Sequence, residues 1–236
     1  PPNPNLIGPL GPKKDLFLDT SPFDAMQDYY RDTFGSNEGF RQTFGVGYMP
    51  KALSSNPSAD NYQTYPPADY AEWRAVLEAA VRYLNKRGID DPYLILFGEP
   101  ESDTIFNVLS PDRTPYPLST EPVLREYVRL YAESQRAVKA ADPGAKVSAM
   151  CAGVYGSDLF RDLRQAPEQK GLDDFIAYVA EYNAALPPDV PHAELDNICW
   201  QGYSWRDEKR MMPMARHIQA VLTHYGFDPA APQYLS

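Results

Sequence analysis

The stretch that decides the fold is Tyr93-Leu94-Ile95-Leu96-Phe97-Gly98-Glu99-Pro100-Glu101. Its apolar run follows Asp90-Asp91-Pro92 and ends at a Gly-Glu-Pro sequence, a pattern typical of a strand that is buried on both faces. Such strands belong to parallel sheets covered by helices. Glu99 is therefore expected where a buried strand ends at the carboxyl edge of its sheet, which carries the chemistry in a β/α barrel. It is the leading candidate for a catalytic residue.

Composition sets the class of protein and excludes several partners. The chain has 236 residues, 43% of them hydrophobic and 13% aromatic, which is enough for one large α/β domain, or two small ones, with a real core. The net charge of −10 disfavours nucleic acid and anionic membranes. No apolar run is long enough to span a bilayer, and Pro1-Pro2-Asn3-Pro4 lacks the features of a signal peptide. We expect no nucleic-acid partner and no membrane insertion.

Proline and tyrosine are unusually frequent, with 24 and 17 residues respectively. Proline-rich loops with many aromatic side chains suit an extracellular or secreted protein that offers aromatic platforms to sugars, although tyrosine is also common in ordinary cores. Cys151 and Cys199 have no metal-type spacing. A disulfide bridge between them is conceivable, but two buried thiols are the favoured interpretation.

Outside the central stretch, predicted strands and helices alternate along the chain. Residues 1–14 form a Pro- and Gly-rich lead-in, and residues 15–236 form the domain. Hydrophobic periodicity, Ser/Thr/Asp caps, prolines and glycine stops predict strands at 43–48, 93–97, 145–151, 195–200 and from 232, and helices from 21 and at 69–87, 120–141, 157–165, 173–185 and 207–225.

This alternation predicts an α/β fold with a parallel sheet. No glycine-rich phosphate loop follows any strand, so a dinucleotide-binding or P-loop fold lacks its signature. A β/α barrel is the preferred architecture, and a doubly wound sheet is the alternative. Long polar loops at 54–67 and from Glu101 to Thr120 follow two of the strands, and loops of this kind tend to carry specificity.

Four sequence motifs carry a resemblance to a known family. In order along the chain they are Gly47-Tyr48-Met49-Pro50, Pro67-Ala68-Asp69-Tyr70-Ala71-Glu72-Trp73, Phe97-Gly98-Glu99-Pro100 and Asp196-Asn197-Ile198-Cys199-Trp200-Gln201-Gly202-Tyr203. Their order and spacing resemble the retaining glycoside hydrolases of the (β/α)8 clan with catalytic glutamates on strands four and seven. Within that clan the chain looks most like family 39, the β-xylosidase and α-iduronidase group.

The resemblance implies a fold and a reaction. The fold would be a (β/α)8 TIM barrel that is incomplete in this chain, with strands three to seven recognisable. The reaction would be retaining hydrolysis of a poly- or oligosaccharide without a cofactor. Glu99 would be the general acid/base, and the nucleophilic glutamate would follow directly after Ser236. Tyr203 would hold the nucleophile, and Gln201, Trp205, Gly98 and Tyr48 would line the substrate site.

Two positions depart from the family pattern. The asparagine that precedes the acid/base in the family is Gly98 here, and the strand-six histidine is Gln201. Contacts to the sugar 2-hydroxyl supply several kcal/mol in the transition state, so their loss is significant. The alternative function is therefore a catalytically inactive barrel that binds glycan or has a structural role.

For several of these residues, an ordinary structural role is the alternative to a catalytic or binding role. Glu99 could be an exposed acid at a strand end, Tyr203 could be a half-buried core residue, and Glu101 and Asp103 are best explained as solvated loop charges. The three histidines, His192, His217 and His224, look structural, because their spacing is not that of a helical metal pair and none falls at a strand end. We predict that no metal takes part in the chemistry.

Overall fold

The computed structural model describes residues 24, 28, 43–46, 48–96, 106–117, 120–153, 170–201, 211–231 and 233–235. Within them the strands are β1 (Thr43–Val46), β2 (Tyr93–Leu96), β3 (Lys146–Gly153), β4 (Asn197–Gln201) and β5 (Gln233–Leu235). The helices are α1 (Tyr70–Lys86), α2 (Glu121–Ala141), α3 (Leu172–Ala184) and α4 (Met211–His224), and a 3-10 turn covers Tyr62–Thr64. The predicted lead-in and the predicted helix at 157–165 lie outside these residues.

The five strands form one sheet in the order β1-β2-β3-β4-β5, and every neighbouring pair is parallel. A doubly wound sheet reverses its strand order at a switch point, whereas a barrel wall adds each strand beside the previous one. The sequential order therefore has the winding of a β/α barrel. It overturns the doubly wound alternative for the described part of the chain.

Each described helix packs against the next one along the chain. Right-handed crossovers between sequential parallel strands place their helices on the same face of the sheet. Trp73 is 1% exposed, as predicted for a core residue, and its indole Nε1 donates to the Ser134 hydroxyl at 2.8 Å. Arg74 forms an ion pair with Glu133 beside it. Burial, and then the charge of Glu126, raises the pKa of the Tyr70 hydroxyl, which donates to Glu126 at 2.6 Å. These contacts join α1 to α2.

Local signals explain where two of the helices begin and end. The Asp69 carboxylate accepts from the backbone N–H of Ala71 at 2.7 Å and caps α1, and Gly88 follows the helix with a φ of 78°. Helix α2 begins at Glu121 with Pro122 in its first turn, as predicted. The Thr120 hydroxyl does not cap this helix, because it donates to the Pro117 carbonyl at 2.7 Å instead.

The core lies between the sheet and the helix layer. Leu94 and Leu96 of β2 are completely or almost completely buried there, with 1% and 0% of their surface exposed. Four aromatic rings contact one another at its centre, with centroid distances of 5.4 to 5.7 Å, and they belong to Phe106, Tyr127, Tyr131 and Phe175. Cys199 is buried, as predicted, whereas the Cys151 side chain is outside the described part.

A buried carboxylate joins α2 to the start of β4. The Asp196 side chain is 1% exposed and lies 2.9 Å from the Lys139 ammonium and 3.3 Å from that of Lys146. Its other oxygen accepts from Gln135 Nε2 at 3.0 Å and from the Val147 backbone N–H at 3.2 Å. These contacts lie at the amino edge of the sheet, which is the face of a barrel that serves stability.

None of the helices in the described ranges has the combination of length and hydropathy that a membrane span requires.

Candidate active site at the carboxyl edge of the sheet

Because the five strands are parallel, their carboxyl ends meet at one edge of the sheet. The register places Val46 beside Leu96, Gly153 beside Gln201, and Trp200 beside Leu235. In the sequence, Tyr48 follows the carboxyl end of β1, Gly98 and Glu99 follow that of β2, and Tyr203 and Trp205 follow that of β4. The carboxyl edge is the one at which barrel enzymes carry their chemistry.

Glu99 comes three residues after Leu96, the last residue of β2. Glu99, Gly98, Tyr203 and Trp205 all lie outside the described residues, so their catalytic and binding roles stay predictions. The backbone of Gln201 is described and forms the last residue of β4, as its motif predicts. Its side chain is outside the described part.

Tyr48 is the predicted site residue whose side chain the structure describes. It lies two residues beyond β1 and is 54% exposed, whereas the adjacent Met49 is 1% exposed and belongs to the core. An aromatic side chain that is half exposed leaves part of its ring accessible to a ligand. The position of Tyr48 at the carboxyl edge agrees with the predicted role, and its contact with a sugar remains a prediction.

The loop that connects β1 to α1 is compact and internally bonded. The Met49 N–H donates to the Gln63 carbonyl at 2.9 Å, and the Ser54 hydroxyl donates to the Tyr62 carbonyl at 2.7 Å. Ser54 also forms an isolated antiparallel bridge with Pro67. Together with the 3-10 turn at Tyr62–Thr64, these bonds satisfy much of the loop backbone and hold the loop beside the strand end.

A buried hydrogen-bonded pair joins this loop to the one that follows β2. The Asn107 N–H donates to the Thr64 carbonyl at 2.8 Å, and the Asn107 Nδ2 donates to the Thr64 Oγ1 at 2.9 Å. Both residues are almost completely buried. The loop that follows Glu99 is thus tied to the loop that carries Tyr48. The sequence analysis did not single out Thr64, and a threonine in a polar loop gives no local signal of such a partner.

A small hairpin projects from the second loop. Leu109 and Pro115 pair as an isolated bridge, and Ser110, Asp112 and Thr114 hydrogen-bond to one another inside the turn. The Ser110 hydroxyl, and then Thr114, lower the pKa of the Asp112 carboxyl by hydrogen bonding to its charged form. Arg113, at the tip, has a φ of 64°. The hairpin thus presents one acidic side chain, Asp112, next to one basic side chain, Arg113.

The described histidines do not assemble a metal centre. His217 Nε2 lies 2.8 Å from Asp173 Oδ2 and links α4 to α3, which agrees with the predicted structural role. Across the described ranges, no group of three or more His, Cys, Asp or Glu side chains could hold a metal ion.

The comparisons with known proteins agree with this geometry. A curated beta-xylosidase from Geobacillus stearothermophilus is 25% identical over 204 residues, which cover 80% of this chain and 36% of that protein. The chain is similar to glycoside hydrolases of family 39. A solved GH39 beta-xylosidase from Caulobacter crescentus superposes with a TM-score of 0.60 at 16% identity, covering 95% of this chain and 42% of the other. The GH39 enzyme from Xanthomonas axonopodis pv. citri gives a TM-score of 0.57, also at 16% identity, covering 98% and 41%.

These findings confirm the family 39 resemblance and the incomplete (β/α)8 fold that the motifs predicted. No family model matches the chain. The chain spans 36% of the length of the curated beta-xylosidase. The family 39 likeness therefore concerns part of a barrel.

Proposed function

We propose that this protein is a retaining glycoside hydrolase that cleaves O-glycosidic bonds in a xylose-containing oligo- or polysaccharide. The observation that carries the proposal is the sequential parallel sheet, in which β2 ends at Leu96 on the carboxyl edge, three residues before Glu99 in the sequence. The names of the similar proteins support the substrate class.

The proposed mechanism uses two carboxylates. Glu99 protonates the leaving oxygen while a glutamate that follows directly after Ser236 attacks the anomeric carbon and forms a glycosyl-enzyme. Glu99 then deprotonates the water that releases the sugar. In a retaining enzyme the two carboxyl groups lie about 5–5.5 Å apart. Leu235 of β5 pairs with Trp200 of β4, so the strand that leads to the nucleophile runs beside the strand that leads to Gln201.

The remaining predicted residues have separate proposed roles. Tyr48 offers its exposed ring to a sugar face, and Tyr203 holds the nucleophile through a hydrogen bond. Gln201 and Trp205 contact sugar hydroxyls and a ring face. Gly98 supplies no side chain to the 2-hydroxyl, so another donor must replace that contact for full activity.

The test is the Glu99→Gln variant of the full-length protein, assayed on unactivated xylo-oligosaccharides. General acid catalysis contributes about 10²–10⁴-fold, so we expect a loss of this size. An aryl xyloside with a good leaving group should be affected less in the glycosylation step, because that step needs less protonation. Glu101→Gln is the matched control and should stay within a few-fold of wild type. Full activity of the Glu99→Gln variant would remove Glu99 from the acid/base role.

The second candidate function is a catalytically inactive barrel that binds glycan. Gly98 and Gln201 favour it, because both replace residues that contact the substrate in the family pattern. A mechanism-based glycoside inactivator separates the candidates. Covalent labelling of the glutamate after Ser236 supports the hydrolase, whereas reversible xylotriose binding without labelling or turnover supports the inactive barrel.

We also propose that the protein acts outside the cell, where polysaccharide substrates are found. The support is compositional, from the many prolines and exposed aromatic residues such as Tyr48. Fractionation of the native host should place the protein in the extracellular or envelope fraction, and retention in the cytosol would contradict this.

A further inference from the structure

A cavity of about 690 Å³ opens at the amino edge of the sheet, opposite to the carboxyl edge. It lies between the carboxyl ends of α3 and α4 and the starts of β3 and β4. Its volume falls within the range of small-molecule sites. Neither the predicted mechanism nor the family 39 motifs use it, apart from Asp196 in its wall.

Two aromatic side chains line the cavity. Tyr225, directly after α4, is 39% exposed, which is unusual among the large hydrophobic side chains of the described residues. Phe227 is partly buried and packs against the core, so it gives the same wall a fixed apolar surface. The Tyr225 ring packs edge-to-face against His224, with ring centroids 4.7 Å apart. A partly exposed ring held by such a contact can cover one face of a sugar ring.

Polar groups of both kinds complete the lining. The Lys146 ammonium is a donor and its side chain is 34% exposed, while the Glu194 carboxylate is an acceptor with a side chain that is 73% exposed. His192 and Asp228 are also exposed. Hydrogen bonds to charged groups are stronger than neutral ones, so such side chains bind hydroxyls well.

The charges at this end of the barrel nearly cancel. Lys139 and Lys146 face Asp196 and Glu194, which leaves Asp228 as the excess charge among these groups. A strongly charged ligand therefore gains little net attraction here. A neutral molecule with many hydroxyls, which needs both donors and acceptors, fits the lining better.

The cavity wall is held in place before any ligand binds. Asn183 both donates to and accepts from the backbone of Ala193, each time at 2.8 Å. Gln135 does the same for Glu194, each time at 2.6 Å. On the other wall, Gly226 has a φ of 80° and the Phe227 N–H donates to the Leu222 carbonyl at 2.9 Å. A preorganised wall loses little entropy on binding.

We propose that this cavity is a second, non-catalytic saccharide-binding site, which takes one or two neutral sugar units of the polysaccharide. The inference rests on the proposed function for the identity of the sugar. The site would keep the protein on its polymer while the opposite edge performs hydrolysis. It needs no residue of the catalytic edge.

The experiment measures xylotriose binding to full-length Glu99→Gln protein by calorimetry and by NMR. In the protein with an unaltered cavity, xylotriose should cause chemical-shift changes at His192 and Tyr225. These changes should be separate from those at Tyr48. We expect Tyr225→Ala to weaken this binding event at least tenfold, and Asp228→Asn to weaken it several-fold. Both variants in the active background should retain wild-type hydrolysis of a small aryl xyloside and a wild-type melting temperature.

Two controls separate this site from the catalytic edge. Tyr48→Ala should affect the other binding event and leave the one at Tyr225 unchanged. Glu78→Gln, at a partly exposed acid on α1 that pairs with Arg82, should affect neither. The inference is overturned if Tyr225→Ala and Asp228→Asn bind xylotriose like wild type, or if spermidine or phosphate perturbs His192 and Tyr225 while xylotriose and cellotriose do not.

The outcomes for the two proposals remain distinguishable. Full activity of Glu99→Gln would count against the mechanism and leave the Tyr225-dependent binding intact. If xylotriose caused no chemical-shift change at Tyr225 in a protein with the wild-type cavity, the second site would be ruled out and the proposed hydrolysis would be unaffected.

Discussion

At the scale of single residues, Asp112 shows how an exposed carboxyl can be tuned by its own turn. Ser110 donates to its Oδ1, and the Thr114 hydroxyl donates to the same oxygen at 2.8 Å. These bonds favour the charged form and lower the pKa of Asp112 below its ordinary value of 3.8. They stabilise the hairpin at pH values above the unfolded pKa, and this contribution is lost as the pH falls through the lower, folded pKa.

We therefore expect NMR titration of the Asp112 carboxyl to give a midpoint below 3.8. Ser110→Ala removes the first hydrogen bond and should raise the midpoint towards 3.8. Thr114→Val should do so as well, whereas Thr114→Ser keeps the hydroxyl and should leave the midpoint unchanged. An unchanged midpoint in Ser110→Ala would show that the turn does not act on this carboxyl.

At the scale of the elements, Asp196 is the contact that joins β4 to α2 and β3. It is almost completely buried and faces two lysines, an amide and a backbone N–H. Asp196→Ala leaves both ammonium groups without this partner, and breaking a buried ion pair costs about 3–5 kcal/mol. We expect the free energy of unfolding, measured with urea, to fall by this amount with an unchanged m-value.

An exposed ion pair between two helices provides the contrast. Arg125 of α2 contacts Glu181 of α3 at 2.9 Å, and both side chains are about half exposed, at 44% and 56%. Exposed pairs contribute at most about 1 kcal/mol, because water and salt screen them. Glu181→Ala should therefore lower the free energy of unfolding by less than that. Equal losses in the two variants would mean that Asp196 is not the principal link.

Elements whose signals are local were predictable from the sequence. Asp69, the apolar spacing around Trp73 and the glycine at 88 fixed α1 to within one residue at each end. The start of α2 was also predicted, although Thr120 hydrogen-bonds backwards to Pro117 instead of capping. The contacts of Asp196 could not be predicted, because its partners lie about fifty to sixty residues away and local spacing says nothing about them.

At the scale of the whole molecule, the strand order could be predicted from two sources together: the alternation of predicted strands and helices, and the family resemblance. Periodicity alone left a doubly wound sheet open, and the motif order around Glu99 and Gln201 favoured the barrel. The carboxyl edge was predictable, because every parallel strand ends there. The cavity at the amino edge was not, since Lys146, Glu194 and Tyr225 come together only in the folded chain.

The same strand order predicts that local stability differs between the central and the outer strands of the sheet. Strand β3 pairs with β2 and β4, whereas among the described residues β1 pairs with β2 alone and β5 with β4 alone. Val147 of β3 is completely buried, while Phe44 and Val46 of β1 are partly exposed. Amide hydrogens of central strands exchange only through large unfolding events, whereas those of edge strands exchange through local opening. Hydrogen exchange of this 236-residue chain, followed by mass spectrometry, should therefore show the slowest exchange in β3 and faster exchange in β1 and β5. Equally slow exchange in β1 and β5 would mean that further segments of the chain pair with both outer strands and close the wall.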